Sequence, residues 1–396
     1  MVGYIPSNLD LSAERHSGKY YFILTSLYYG KIFDKRNKTN SFISLNGKTL
    51  LSIIGGRYKY YITHLVNAGI IETNNLFLVG EKSKGYRFTE KYRNVKFKRV
   101  IIMDKNIIKK ITSFKDYLKI GIRLPQHKYI YDCLNHISIQ ENEARYFIEQ
   151  SSTTAEQYNS YSISIDMIAG KNYFFVADKT AGRVHNNITN LPSDLRPFLR
   201  YNNQELVEID IANSQPFLFN LLIIDYFINN TQPSPYLPPS YDNQYSTSYP
   251  DIILYKELTS NGKFYEYMMQ YLPIMGRDEF KKKLFGRIFY NDDKKFLYEE
   301  WSIFQDIFPT VAHIISFYKR NNYKDLAISL QKVEADIIIN RIVIRLEKES
   351  IYCLTIHDSI LTTPNNAEIV KQIMLEEFEK HFGLIPTIRI KGGYTT

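Results

Sequence analysis

Between Ile351 and Pro364 two β-rich runs flank a tight His357-Asp358-Ser359 turn, the pattern of a hairpin. An aspartate at a hairpin tip is not core material, and alone it would pass as a turn residue. A second strand, Leu206–Ile211, alternates apolar and polar residues and brings Asp210 to its end. Small polar residues follow, then an apolar helix from Pro216, with proline at a tolerated first-turn position. Alone, Asp210 would read as a helix cap. Two strands of one sheet that each end in aspartate have a further use. Phosphoryl transfer from a triphosphate needs two divalent cations a few ångströms apart, one activating the attacking hydroxyl and one supporting the leaving pyrophosphate. Mg²⁺ takes oxygen ligands and commonly only one or two carboxylates, with substrate phosphates supplying the rest.

Two other segments suit a nucleotide. In Arg277–Tyr290, Arg277, Lys281, Phe285 and Phe289 recur every four residues and would form one stripe along a helix. Two cations followed by two aromatics offer contacts to phosphates and a face for a base, and Gly286 would let a base approach closely. Lys324–Glu349 reads as a packing helix containing Gln331-Lys332-Val333-Glu334-Ala335-Asp336-Ile337. Net charge is +9, with 50 Lys and Arg and 15% aromatics, which fits a polyanionic partner with stackable bases. Only Cys133 and Cys353 occur, too few for a disulfide framework or a cysteine zinc site. The greasiest run, Phe217–Ile228, is interrupted by Asn220 and Asp225 and is too short to span a bilayer. The polar N-terminus carries no signal-peptide core, so a cytoplasmic protein with no membrane contact is expected.

Residues 1–93 read as a small unit. A helix over 19–33, a short strand over 41–46, helices over 47–54 and 57–68 stopped by Gly69, and two strands around a basic 80–85 turn give the winged-helix order. Ile62, Leu65 and Val66 would face its core. Arg57, Lys59, Thr63, His64 and Asn67 would face out, with Lys82 and Lys84 at the wing, available to DNA. Residues 94–172 read as a mainly helical thumb or connector, and 173–396 as a larger unit interrupted by an exposed Pro-, Ser-, Tyr- and Asn-rich loop over 231–250.

Taken in order, the segments of the larger unit resemble the motifs of DNA polymerase family A and the related single-subunit RNA polymerases. The Asp210 strand looks like motif A. Arg277, Lys281, Phe285 and Gly286 match the Arg-x3-Lys-x3-Phe-Gly of motif B. Gln331, Ala335, Asp336 and Ile337 match a Gln-x3-Ala-Asp-Ile helix, and His357-Asp358-Ser359 matches motif C. Thr180-Ala181-Gly182-Arg183 is similar to a template–primer segment, and Phe304–Val311 to a fingers helix.

The resemblance implies an α+β right-hand polymerase with palm, fingers and a small thumb, carrying an N-terminal winged helix. It implies that Asp210, Asp358 and the Ile211 carbonyl hold two Mg²⁺ ions, with Mn²⁺ able to replace them. Arg277 and Lys281 would hold the triphosphate, Phe285 would lie against the nucleotide and Phe289 near the templating base. Gln331, His357 and Arg183 would contact primer or template. Gln215 stands where the family's DNA polymerases carry a glutamate that crowds a ribose 2′-hydroxyl. Its bulk, together with Phe289 where the RNA polymerases have tyrosine, favours deoxynucleotides; Ser359 is the form typical of the RNA polymerases. The expected activity is primer extension by a DNA-directed DNA polymerase without proofreading, on a DNA template–primer with nucleoside triphosphates. The Asn-, Lys-, Ile- and Tyr-rich usage suggests a phage, plasmid or other mobile element. The rival readings are a DNA-dependent RNA polymerase or primase, a protein-primed or template-independent transferase, and a non-catalytic DNA-binding protein with a decayed palm.

Overall fold

The computed structural model describes residues 1–33, 41–76, 84–118, 122–230, 249–272, 276–290 and 298–392. Lys82 and most of the 231–250 segment therefore lie outside the described residues. The chain divides into two compact units, one of Met1–Ile120 with Ile139–Asn172, the other of Gly121–Ser138 with Tyr173–Thr396.

In the first unit β1 (Val2–Pro6) leads to α1 (Ser17–Phe33), β2 (Ile43–Ser44), α2 (Gly47–Ile54), α3 (Tyr58–Asn67), β3 (Ile71–Thr73) and β4 (Gly85–Phe88). The sheet order is β2-β4-β3, all antiparallel. Asn46 caps α2 by accepting from the amides of Lys48 and Thr49. The short α3 turns Tyr61, Ile62 and Leu65 into the core and leaves Arg57, Lys59 and Thr63 exposed. His64, expected on the outer face, is half-buried, with its ring 5.3 Å from that of Tyr20.

The segment 94–172 does not form a unit of its own. Its β5 (Phe97–Ile101) pairs along β1, from Val2↔Ile101 to Pro6↔Phe97. The Phe97 ring stacks on Tyr28 at 4.1 Å. Helix α5 (Ala155–Ala169), packed on α4 (Glu141–Ser151), closes this core. Its buried Asn159 accepts from the Phe97 amide and donates to the Val95 carbonyl, and its Asp166 accepts from the Tyr4 hydroxyl. By contrast, the helix Pro125–Asn135 belongs to the second unit. There the Tyr129 hydroxyl donates to the Ile351 carbonyl, and Gln126 donates to Asn340.

The second unit is built on a four-stranded antiparallel sheet. A hairpin of β6 (Phe175–Ala177) and β7 (Val184–Asn186) comes first, then β8 (Val207–Ile211) runs into α6 (Ser214–Asn230). The helices α7 (Arg277–Ile288) and α8 (Lys324–Ile337) follow, then β9 (Leu354–Ile356), β10 (Ser359–Thr362), α9 (Ala367–Phe382) and β11 (Ile388–Lys391). The sheet order is β9-β10-β8-β11. Val207, Ile209 and Ile211 are buried while Glu208 and Asp210 are only partly so, as strand alternation requires. Phe217 of α6 and Phe378 of α9 meet edge-to-face at 5.5 Å, both fully buried. Among the described residues, no helix is long and apolar enough to cross a membrane.

Candidate active site

Register brings the two aspartates together. In the β8–β10 pair Asp210 stands opposite Ser359, so Asp358 is one residue from the position facing Asp210. Asn213, at φ +53°, turns the chain from β8 into α6 in a left-handed conformation that asparagine tolerates. His357 and Asp358 form the two-residue loop between β9 and β10, and His357 is held at φ +55°. A histidine there carries the local strain that glycine usually avoids, and it fixes the direction of the following aspartate.

Burial pushes the Asp358 carboxyl above the usual carboxylate range, and the neighbouring charge of Asp210 pushes it the same way. Its own backbone amide, the Ser214 hydroxyl and the Lys281 ammonium act against that rise. Asp210 is bonded to the Lys391 ammonium from β11. Lys391 stands opposite Glu208 and is the diagonal neighbour of Asp210, within reach of a long side chain. Two carboxyl groups thus lie close together, one of them paired with an ammonium.

The basic helix α7 shows two stripes. Phe280, Leu284 and Ile288 are buried, while Arg277 and Lys281 beside them are exposed and Phe285 is half-buried. The charge of Lys281 reaches Asp358, and its ammonium lies 5.8 Å from the centre of the Tyr265 ring. Arg277 is paired with Glu266 at 2.8 Å. A Cβ added to Gly286 would meet nothing within 4 Å, so this face of the helix is open. Phe289 departs from the expected stripe. It lies past the end of the helix, fully buried with its ring 5.8 Å from Phe219, and so is part of the core. Tyr290 is the aromatic residue that reaches the site: its phenol lies near Gln331 and feels the charges of Arg183, Glu334 and Asp358.

A third group surrounds Glu334 on α8. One carboxylate oxygen, Oε2, accepts from Arg183 Nη2 and from Gln215 Nε2, each at 2.5 Å. Arg183 thus points inward to Glu334 in this structure. Asp178 shapes the turn that delivers it by accepting from the amides of Thr180, Ala181 and Arg183. Burial opposes ionisation of Asp178, but those amides win and hold its carboxyl below the usual range. The His357 ring lies 6.1 Å from that of His185 on β7. Among the described residues no group of three or more His, Cys, Asp or Glu is placed to hold a metal.

No protein-family model matches the sequence, and the comparison with curated proteins finds no relative. Among solved structures the chain is similar to one described as the POL domain of Pol1 from M. smegmatis in complex with DNA primer-template and dNTP. Identity is 12%, the TM-score is 0.32, and the match covers 63% of this chain and 55% of that one. The chain therefore spans little more than half of that structure's length, and a likeness at this score carries no inference about activity.

Two residues that sequence reasoning passed over belong to the site. Lys391 sits on an edge strand far along the chain from Asp210, and no local pattern couples the two. Glu334 did leave a signal. It falls four residues after Leu330 and three before Ile337, on the stripe that packs inward, where an acid must have a buried partner.

Proposed function

We propose that the second unit is a template-dependent nucleotidyltransferase that extends a nucleic-acid primer from nucleoside triphosphates, with deoxynucleotides as its preferred substrates. The observation that carries this reading is the closeness of Asp210, near the end of β8, and Asp358, in the hairpin loop just before β10, where the charge of Asp210 reaches Asp358. The donor set fits divalent metal: two hard carboxylates, with an ammonium standing where a cation would sit. Asp210, Asp358 and the Ile211 carbonyl would hold Mg²⁺, which when bound lowers the cost of charge on the attacking and leaving oxygens.

The chain's own residues account for the rest. Lys281, whose charge already reaches Asp358, is placed to take triphosphate oxygens. Arg277 can join it by exchanging an exposed pair with Glu266, an interaction worth little in water. Phe285, half-buried beside the open Gly286 face, would lie along the nucleotide, with Tyr290 in the position next to it. Gln215 would wall the sugar, and Gln331 and His357 would lie on the side of the primer terminus, with Arg183 held inward by Glu334. In the first unit, the exposed Arg57, Lys59 and Lys84 suit a winged helix that holds DNA by its backbone.

The test is primer extension with all eight nucleotides on DNA and RNA templates, using wild type, Asp210→Asn and Asp358→Asn. Wild type should extend a primer, and each variant should lose incorporation by about a thousandfold or more while still binding DNA. Incorporation at the wild-type rate by either variant refutes the assignment. Preference for ribonucleotides without a primer would point to an RNA polymerase or primase, and template-independent product to a terminal transferase.

A further inference from the structure

Glu334 is 1% exposed and belongs neither to the metal grip nor to the phosphate contacts. A carboxylate buried on the apolar face of a helix persists only with partners, and here they come from two other segments. Arg183 arrives from the turn before β7, where Gly182 adopts φ +78° and packs against α8; a Cβ on it would lie 3.7 Å from that of Ala335. Gln215 arrives from the first turn of α6, five residues beyond Asp210. Both donate to the same oxygen of Glu334.

The two ends of the Gln215 amide differ. Its nitrogen is tied to Glu334, while its Oε1 is buried with no hydrogen-bond partner among the described residues. The orientation of that amide therefore hangs on Glu334. A glutamine side chain has three rotatable bonds, and left unanchored it would sample several rotamers. Held, it becomes a fixed wall one helical turn beyond a metal-holding aspartate. In the proposed polymerase reading, the part of a bound nucleotide next to Gln215 is its sugar.

We propose that Glu334 is a positioning residue for sugar discrimination: by fixing Gln215 it decides how strictly the site separates ribose from deoxyribose. The proposal rests on the polymerase reading and assigns a determinant within it. It makes Glu334 the second half of a two-residue device, with Arg183 neutralising the charge that the device brings into the interior.

The experiment is single-nucleotide extension by the full chain on a DNA primer–template, giving kcat/KM for dATP and rATP opposite thymine. Wild type is compared with Glu334→Ala, Glu334→Gln, Gln215→Met and the Glu334→Ala/Gln215→Met double variant. Glutamine at 334 can still accept from both donors, so Glu334→Gln should keep the wild-type ratio. Glu334→Ala should lower the dATP:rATP ratio by about tenfold, mainly by raising kcat/KM for rATP. Gln215→Met keeps the bulk but has no amide to anchor, and should relax the ratio to a similar degree. The double variant should be no more relaxed than either single one. Gln215→Met keeps the Arg183–Glu334 pair and removes only one donor from it, so the proposal stays refutable even if Glu334→Ala folds poorly. A wild-type ratio in Gln215→Met, or additive effects in the double variant, overturns the proposal while leaving the polymerase reading intact. A wild-type protein that extends no primer overturns both.

Discussion

Glu334 also makes a stability prediction that needs no substrate. Burial raises its carboxyl from an ordinary value of 4.5 to about 7, against the opposing pull of the Arg183 charge. The charges facing it are Arg183 and, more distantly, Asp358, with the Tyr290 phenol alongside. Because the folded value lies above the unfolded one, the native state binds the extra proton. The associated stability is fully present below about pH 4.5 and is lost as pH rises towards 7. The shift, at roughly 1.4 kcal/mol per unit, amounts to about 3 kcal/mol over that window. Glu334→Gln has no such proton to lose. Denaturant unfolding of wild type and Glu334→Gln at pH 4.5 and pH 8 isolates the effect. Carboxylates that titrate in the opposite sense, such as Asp178 and Glu300, are common to both proteins and cancel in the difference. Wild type should lose about 3 kcal/mol more than the variant on going to pH 8, or roughly 6–12 °C in melting temperature for a unit of this size. Equal pH dependence in the two proteins would show that Glu334 is not held in the buried, singly anchored state on which the argument depends.

Two further outcomes follow. Lys391→Met removes the ammonium that competes for Asp210, and the half-saturating Mg²⁺ concentration for extension should fall by up to about fivefold, the ceiling for an exposed ion pair near 1 kcal/mol; an unchanged Mg²⁺ titration would mean that the lysine leaves the site at no cost. Arg57→Glu with Lys59→Glu should weaken binding to duplex DNA across sequences and reduce the slope of log affinity against log salt by about one for each phosphate no longer neutralised, as read by fluorescence anisotropy. Unaltered affinity and slope would remove α3 from the DNA-binding surface.

What was legible in the sequence is what local pattern controls. The alternation over Leu206–Ile211, the tight turn at His357-Asp358-Ser359 and the glycine stop after α3 each follow from one residue's neighbours; the strand begins one residue later, at Val207, and the turn is the two residues His357-Asp358, with Ser359 opening β10. Pairing between remote segments has no such signature. The β1–β5 ladder joins the chain start to residues nearly a hundred positions later, and it draws Phe97–Ile101 into the first unit although nothing around Phe97 announces a partner. The same holds for Pro125–Asn135, whose allegiance is decided by hydrogen bonds to Asn340 and Ile351.

The site shows the same division at finer scale. A four-residue spacing correctly groups Arg277, Lys281 and Phe285 on one face of α7, but it cannot say where the helix ends. The helix stops at Ile288, so the next member of the series leaves the stripe. Phe289 then has a choice that spacing does not describe, and the apolar surroundings of Phe219 take it. That leaves Tyr290 beside Gln331 and only partly buried, with a polar neighbour for its hydroxyl. Burial energetics, rather than periodicity, therefore select which aromatic lies within reach of the Asp358 charge. The same rule places Glu334. An acid on a buried stripe must either be removed by selection or be matched, and its matching to Arg183 and Gln215 ties α8 to the first turn of α6, just beyond the strand that carries Asp210. Exchanging the ion pair for apolar residues of similar volume would keep the packing, but would release the one hydrogen bond that orients Gln215. On this physical argument, the charge is retained for where it holds an amide and contributes little net stability.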